Sequence, residues 1–269
     1  DNVGPAASLH ASAWDLAQYL RMHIRRGNYG GAQIVTPLNA AELHAAQIAV
    51  SNVNPPAVLS KVAPRFSAYG LGWRLQDYRG RKLVQHAGGV DGMRTLVTML
   101  PEEELGVVAL TNAEASLTYP LTFRVLDLLL GVDERDFDWV SVYSQVETEY
   151  ARASDAEENE RFAARVSGTH PSLPHDSLAG RYSHPLVDAV LVQADGGHLS
   201  LCFAHTPAFT ADLEHWHYNT FRLHWRDPYI PWGLVTFRQD ARGRVSALEF
   251  DQPSLLDVDF TELGPLSRE

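Results

Sequence analysis

The sequence predicts an α+β fold, in which an antiparallel sheet with helices packed on it is followed by a separate antiparallel β-barrel. Three observations predict it. Strand-like runs between residues 69 and 110 are joined by tight turns, amphipathic helical patterns flank them, and from residue 178 onward short strands recur with glycine turns between them. At 269 residues the chain is long enough for two cores.

Composition narrows the partners. With 33 acids against 22 bases the formal charge is −11, which repels nucleic acid and anionic membrane, so neither is expected as a partner. No apolar stretch approaches the ~20 residues of a membrane span, and no basic-then-apolar signal pattern opens the sequence. The single Cys202 excludes an intrachain disulfide and a Cys-based zinc site. Neither fact assigns a compartment.

Ser12 with Asp15 three positions on makes a capping-box-like start, and Leu16, Ala17, Leu20 and Ile24 recur at helical spacing until Gly27, predicting a helix over 13–26. Thr36-Pro37 opens a second helix running to about Ile48, with proline at its favoured first position. Residues 49–67 hold three prolines and little periodicity, which reads as a loop. Tyr69 to Asp77 is a mixed apolar run closed by Tyr78-Arg79-Gly80-Arg81, a hairpin turn, with Lys82 to Gln85 starting the return strand. Gly92 to Leu100 is the next strand, and Pro101-Glu102-Glu103-Glu104 turns the chain into Leu105–Leu110. Connections this short join antiparallel neighbours, so a meander is expected. The continuous apolar run of the last strand fits cover on both faces.

A helix over 115–130 follows, with Leu117, Leu121, Val125, Leu128 and Leu129 as its apolar stripe and Pro120 in its first turn or bending it. Residues 131–167 carry ten acids and four arginines, which reads as one or two solvated connecting helices. Residues 169–177, with two prolines, are a linker. The expected domains are 1–135, an acidic helical linker 136–177, and the barrel 178–269. Trp216, Phe221 and Phe237 are expected to fill the barrel. His215 and His217 would share a strand face at a spacing that can hold zinc, but no cysteine or third clustered ligand joins them, so no metal is expected. His10, His23 and His44 read as surface or helix residues without a role.

Gly88, Gly89 and Gly92 remove side chains from one strand end and its turn, as an ordinary bulge would, or as close approach of a ligand would require. Their neighbourhood bears on the choice. Tyr69-Gly70-Leu71-Gly72-Trp73, the hairpin, His86-Ala87-Gly88-Gly89, a strand, the Pro-acid turn and Val107-Val108-Ala109-Leu110-Thr111-Asn112 resemble, in order and spacing, the C-terminal half of the serine β-lactamase and penicillin-binding-protein superfamily. The nearest branch is the class C β-lactamase-related esterases and peptidases. There, a strand bearing Lys-Thr-Gly or His-x-Gly borders the active site. The resemblance implies a catalytic role for His86, which would relay a proton or orient the substrate carboxylate, and an oxyanion and substrate-binding role for Gly88 and Gly89. Gly89 would offer its backbone N–H, a contribution typically worth ~3 kcal/mol of barrier. Residues 1–12 resemble the cleft rim that leads into the helix after the family's second motif, with Ala6-Ala7-Ser8 where Ala-Gly-Gly is usual.

Two motifs are absent. Three residues before the only lysines, Lys61 and Lys82, stand Val58 and Arg79, so Ser-x-x-Lys does not occur, and no tyrosine begins Tyr-x-Asn. The stretch from Leu178 to about Leu263 resembles the small β-barrel domain of unknown function that often trails these hydrolases. The expectation is therefore a part of a serine hydrolase that forms an acyl-enzyme on β-lactams, esters or D-amino-acid peptides, inactive by itself, with its N-terminal catalytic segment supplied separately. The other expectation is a non-catalytic binding module whose barrel takes a cell-wall or small-molecule ligand. The partners expected are a small-molecule or peptide substrate, and either the missing segment or a second copy covering the apolar faces of Leu105–Leu110, Leu117–Leu129, Trp73 and Tyr69. No cofactor is expected.

Overall fold

The structure, a computed structural model, describes residues 9–51, 56–90, 92–133, 137–253, 255 and 260–269. The rim expected over residues 1–8 lies outside the described residues. The chain divides into two compact units, Asp1–Asp155 and Ala156–Glu269.

In the first unit, helix α1 (Ala13–Ile24) starts with a complete capping box, Ser12 accepting from the Asp15 N–H and Asp15 from the Ser12 N–H. It stops where Arg26 and Gly27 turn left-handed and the Gly27 N–H reaches the Met22 carbonyl at 2.8 Å. A short hairpin, β1 (Asn28–Tyr29) and β2 (Ala32–Gln33), separates it from α2 (Pro37–Leu43). Helix α2 ends five residues earlier than its pattern predicts, because the Leu43 carbonyl accepts from Leu71 and the next residues leave to pair as β3 (Ile48–Ala49). Tertiary pairing overrides helical propensity there.

A six-stranded antiparallel sheet follows in the order β3, β4 (Ser67–Tyr69), β5 (Arg74–Tyr78), β6 (Arg81–Val90), β7 (Met93–Leu100), β8 (Leu105–Thr111). Tyr69–Asp77 is thus two strands around a turn rather than one. The β5–β6 turn puts Arg79 and Gly80 both at positive φ, the twist that matches a two-residue hairpin. Ala68, Leu75, Val84, Met99 and Gly106 stand opposite one another across the sheet. Leu20 of α1 packs on this row. A Cβ on Gly106 would lie 3.2 Å from Leu20 Cδ1, so glycine lets the helix approach the strand. The other face carries Tyr78, Leu83 and Leu100 beneath helices α3 (Thr118–Leu129) and α4 (Trp139–Ala163). Strand β8 has helices on both faces, yet only Ala109 in it is fully buried, and among the described residues it pairs on one side alone, with β7.

Helix α3 corrects the predicted stripe. Thr118, Pro120, Thr122, Phe123, Leu126 and Asp127 face inward, whereas Leu117, Leu121, Leu128 and Leu129 are 46–58 % exposed. The helix is rotated because Asp127 is drawn in to bond Arg79, Tyr78 and Trp139. Trp73, expected to lack cover, is buried in the core beside α1. His23 and His44, expected at the surface or without a role, are buried against that indole. Among residues 131–167 one helix, α4, has only Trp139 and Val146 buried, and the division between the units falls within it.

The second unit is a closed eight-stranded antiparallel barrel in the order β10, β11, β12, β13, β14, β15, β16, β9. Its strands are β9 (Gly180–His184), β10 (Asp188–Asp195), β11 (His198–Phe203), β12 (Thr206–His217), β13 (Thr220–Trp225), β14 (Gly233–Gln239), β15 (Val245–Asp251) and β16 (Leu266–Arg268), entered through a short helix α5 (His175–Leu178). Tyr182, Phe221, Phe237 and Phe260 fill the interior, as small barrels require. Trp216 is not among them. A register shift falls between His215 and His217, and Trp216 packs outside the barrel core against Phe162 and Trp232. The same bulge separates the two histidines: His215 Nε2 lies 3.0 Å from the Tyr218 carbonyl, while His217 Nδ1 accepts from the Val166 N–H.

Candidate functional site

Strand β6 ends in His86, Ala87, Gly88 and Gly89, hairpinned through Gly92 to β7. From Gln85 to His86 the strand passes from buried to exposed, so the imidazole emerges where the core stops. Its Nε2 lies 2.8 Å from the Tyr69 hydroxyl, with the two rings edge to face at 6.1 Å. Tyr69 is delivered by β4 at the turn of Tyr69-Gly70-Leu71-Gly72-Trp73. A Cβ on Gly70 would stand 2.5 Å from the Leu43 carbonyl oxygen, and that close approach fixes where the turn and its tyrosine sit.

Gly88 faces Thr95 and Gly89 faces Arg94 across the ladder. A Cβ on Gly88 would come 2.5 Å from Thr95 Oγ1, so the absence of a side chain there is used by a neighbour. Arg94 is ion-paired with Glu114, whose other oxygen accepts the Gly92 N–H, while the Arg94 carbonyl accepts from Thr111. These bonds tie the hairpin tip to the end of β8. The arrangement joins a hydrogen-bonded imidazole, a side-chain-free strand edge and a guanidinium at one end of the sheet.

The structure thus places His86, Gly88 and Gly89 on one strand end, and adds Tyr69, Arg94 and Glu114. Tyr69 stood in the Tyr-Gly-Leu-Gly-Trp motif, but nothing in its spacing pairs it with a residue 17 positions away. Among the described residues no group of three or more His, Cys, Asp or Glu could hold a metal ion, and no helix is long and apolar enough to cross a membrane.

The comparisons with known proteins agree with the class this architecture suggests. Residues 1–128 match the Beta-lactamase family, and residues 164–264 match the Domain of unknown function (DUF3471). The first unit therefore carries a stretch that matches the Beta-lactamase family, and the barrel one that matches this domain of unknown function. Among particular relatives, it is similar to the unguisins hydrolase ungD' of Aspergillus campestris, 32% identical over 124 residues that make up 44% of this chain and 23% of that protein. It is also similar to the unguisins hydrolase ungD of Aspergillus violaceofuscus, 30% identical over 139 residues, 48% of this chain and 24% of that protein. The matched stretch thus spans about a quarter of these relatives. An octameric penicillin-binding protein homologue from Pyrococcus abyssi aligns over 90% of this chain and 45% of its own, at 20% identity and a TM-score of 0.40. The C-terminal domain of penicillin binding protein Rv0907 aligns over 39% of this chain and 94% of its own, at 23% identity and a TM-score of 0.30.

Proposed function

We propose that this chain supplies one wall of an acyl-transfer site, and that the nucleophile pair Ser-x-x-Lys comes from polypeptide outside this sequence. The observation that carries the reading is the His86–Tyr69 hydrogen bond at the bare strand edge of Gly88 and Gly89. A tyrosine hydroxyl held against Nε2 fixes the ring's orientation, as a proton-relaying imidazole needs. The Gly89 N–H is the oxyanion donor in this reading. The substrates in this reading are esters, β-lactams or D-amino-acid peptides, and the relatives named as unguisins hydrolases support hydrolysis as the reaction class. The barrel is filled with its own side chains, so a ligand-holding interior has little support.

The test is hydrolysis of a chromogenic cephalosporin and of a p-nitrophenyl ester. The chain alone is expected to give no turnover, and the protein extended by its encoded upstream segment is expected to turn over one of them. In that extended protein His86→Ala should lower kcat/KM by about 10²–10⁴-fold with an unchanged melting temperature, the usual contribution of a general acid–base group. Unchanged kinetics would remove His86 from the chemistry.

A further inference from the structure

On the sheet face opposite α1, beneath α3 and α4, the first unit holds a pocket of about 210 Å³ whose residues include Arg74, Gln76, Gln85, Tyr119, Phe123 and Tyr143. We propose that it is a binding site for a small planar aromatic carboxylate, whose lining adjoins His86 and Tyr69 in the sheet without including either.

The floor is polar where a sheet buried under helices is ordinarily apolar. Gln85, only 6 % exposed, donates from Nε2 to Gln76 Oε1 at 2.8 Å, and longer contacts of 3.5 Å extend the row to Ser67 on one side and Thr98 on the other. Each primary amide has two N–H donors, and the described contacts use one on each glutamine. Amides left short of partners under a helical layer are costly, and an acceptor entering from the pocket relieves that cost.

The wall is aromatic. Tyr119 and Tyr143 stack at 5.6 Å and 12°, and Phe123 and Trp139 continue the surface. Neither tyrosine hydroxyl has a hydrogen-bond partner among the described residues. Burial pushes both phenols up, with the nearby Arg74 partly offsetting this at Tyr119, so both remain protonated donors at neutral pH.

The cation is Arg74. Elsewhere in this unit Arg79, Arg81 and Arg94 are each ion-paired, whereas Arg74 has no ion pair or hydrogen bond among the described residues, and it stands opposite Gln85 across the β5–β6 ladder. The acid lining the pocket, Asp77, accepts from the Arg65 and Phe66 N–H groups at 2.6 and 3.0 Å, which occupies its Oδ1. A guanidinium beside amide donors selects a carboxylate, and flat aromatic walls select a ring. The volume sets the size, because drug-sized ligands fill roughly 300–1,000 Å³ and this pocket is smaller, which suits a single ring.

The probe is benzoate, titrated calorimetrically into the full chain through the millimolar range, with benzamide as the uncharged isostere and cyclohexanecarboxylate as the non-aromatic acid. The expected result is saturable one-site binding of benzoate, with both analogues weaker by tenfold or more. Arg74→Gln should weaken benzoate by at least tenfold, and Gln85→Leu by several-fold, with melting temperatures recorded to show that both variants fold. Absence of saturable benzoate binding would overturn the proposal. So would equal binding of benzamide, or benzoate affinity unchanged in folded Arg74→Gln.

Discussion

Arg79 and Asp127 meet side-on, Nε to Oδ1 at 2.7 Å and Nη2 to Oδ2 at 2.9 Å, across 48 residues of sequence. The same carboxylate accepts from the Tyr78 hydroxyl and from Trp139 Nε1 at 2.7 Å, so one buried acid joins the β5–β6 turn, α3 and the start of α4. Burial by itself raises its pKa, but the bonds from Arg79, Tyr78 and Trp139 outweigh that and hold it below the ordinary carboxylate value. Asp127→Ala is therefore expected to cost ~3–5 kcal/mol, since it leaves a partly buried guanidinium, a phenol and an indole without their acceptor. Urea denaturation at pH 7 measures it. A folded pKa below the unfolded one means this stability is fully present above the unfolded value of about 4 and is lost as pH falls through the folded value. The gap between wild type and variant should accordingly narrow below about pH 4.

A second pH response comes from His23 and His44, whose Nδ1 and Nε2 lie 3.1 Å apart in the core, with His23 Nε2 unbonded. Burial lowers His23, while burial, the facing His23 and Lys82 together lower His44 to about 4. Both rings fold neutral and bind protons more readily unfolded, so their contribution is complete above the unfolded value of about 6.5 and declines as pH falls toward 4. Melting temperature should drop across that window. His44→Gln should flatten the drop, and an equal slope in wild type and variant would refute the assignment.

Two glycines separate rigid from yielding contacts. In Gly70→Ala the new methyl would meet the carbonyl oxygens of Leu43 and Ala45 at 2.5 and 2.9 Å, backbone atoms at the end of α2 and just beyond it. Gly88→Ala meets the Thr95 hydroxyl, which can rotate away. Gly70→Ala is expected to cost about 1–3 kcal/mol, as overpacking does, and Gly88→Ala clearly less. Paired thermal melts decide the order.

Leu117, Leu121, Leu128 and Leu129 leave α3 with an exposed apolar band beside the one-sided edge strand β8. Apolar surface is worth roughly 25 cal/mol per Å² when covered, which favours self-association of the purified chain. Sedimentation should report a dimer or larger species. The double variant Leu121→Glu, Leu128→Glu should be monomeric with an unchanged melting temperature, while a monomeric wild type would show that the band needs no cover.

What could be read early was local. The Ser12–Asp15 cap, the Arg79-Gly80 turn and the proline at the start of α2 each depend on a few neighbouring residues, and the structure repeats them. The strand end at His86 was legible through its glycines, because missing side chains leave a mark in the sequence itself. The α3 stripe misled for the converse reason: its leucines have the right spacing, yet the helix turns toward whichever face holds the stronger partner, and a buried carboxylate with three donors outcompetes leucines that nearby water tolerates. Trp216 lies outside the barrel core because it alternates with Asp212 and Glu214, on the face opposite to the inward Ala211 and Leu213.

By itself the sequence determined most element types and set a histidine and glycines at one strand end, since periodicity and turn chemistry are written along the chain. Only the tertiary structure decided that His86 has Tyr69 as its partner, that His23 and His44 are buried, which face of α3 turns inward, and that Arg74 and the glutamines line one pocket. Those relations join residues 9 to 48 positions apart, and the sheet register and helix rotation that bring them together are set by packing, which no local pattern encodes.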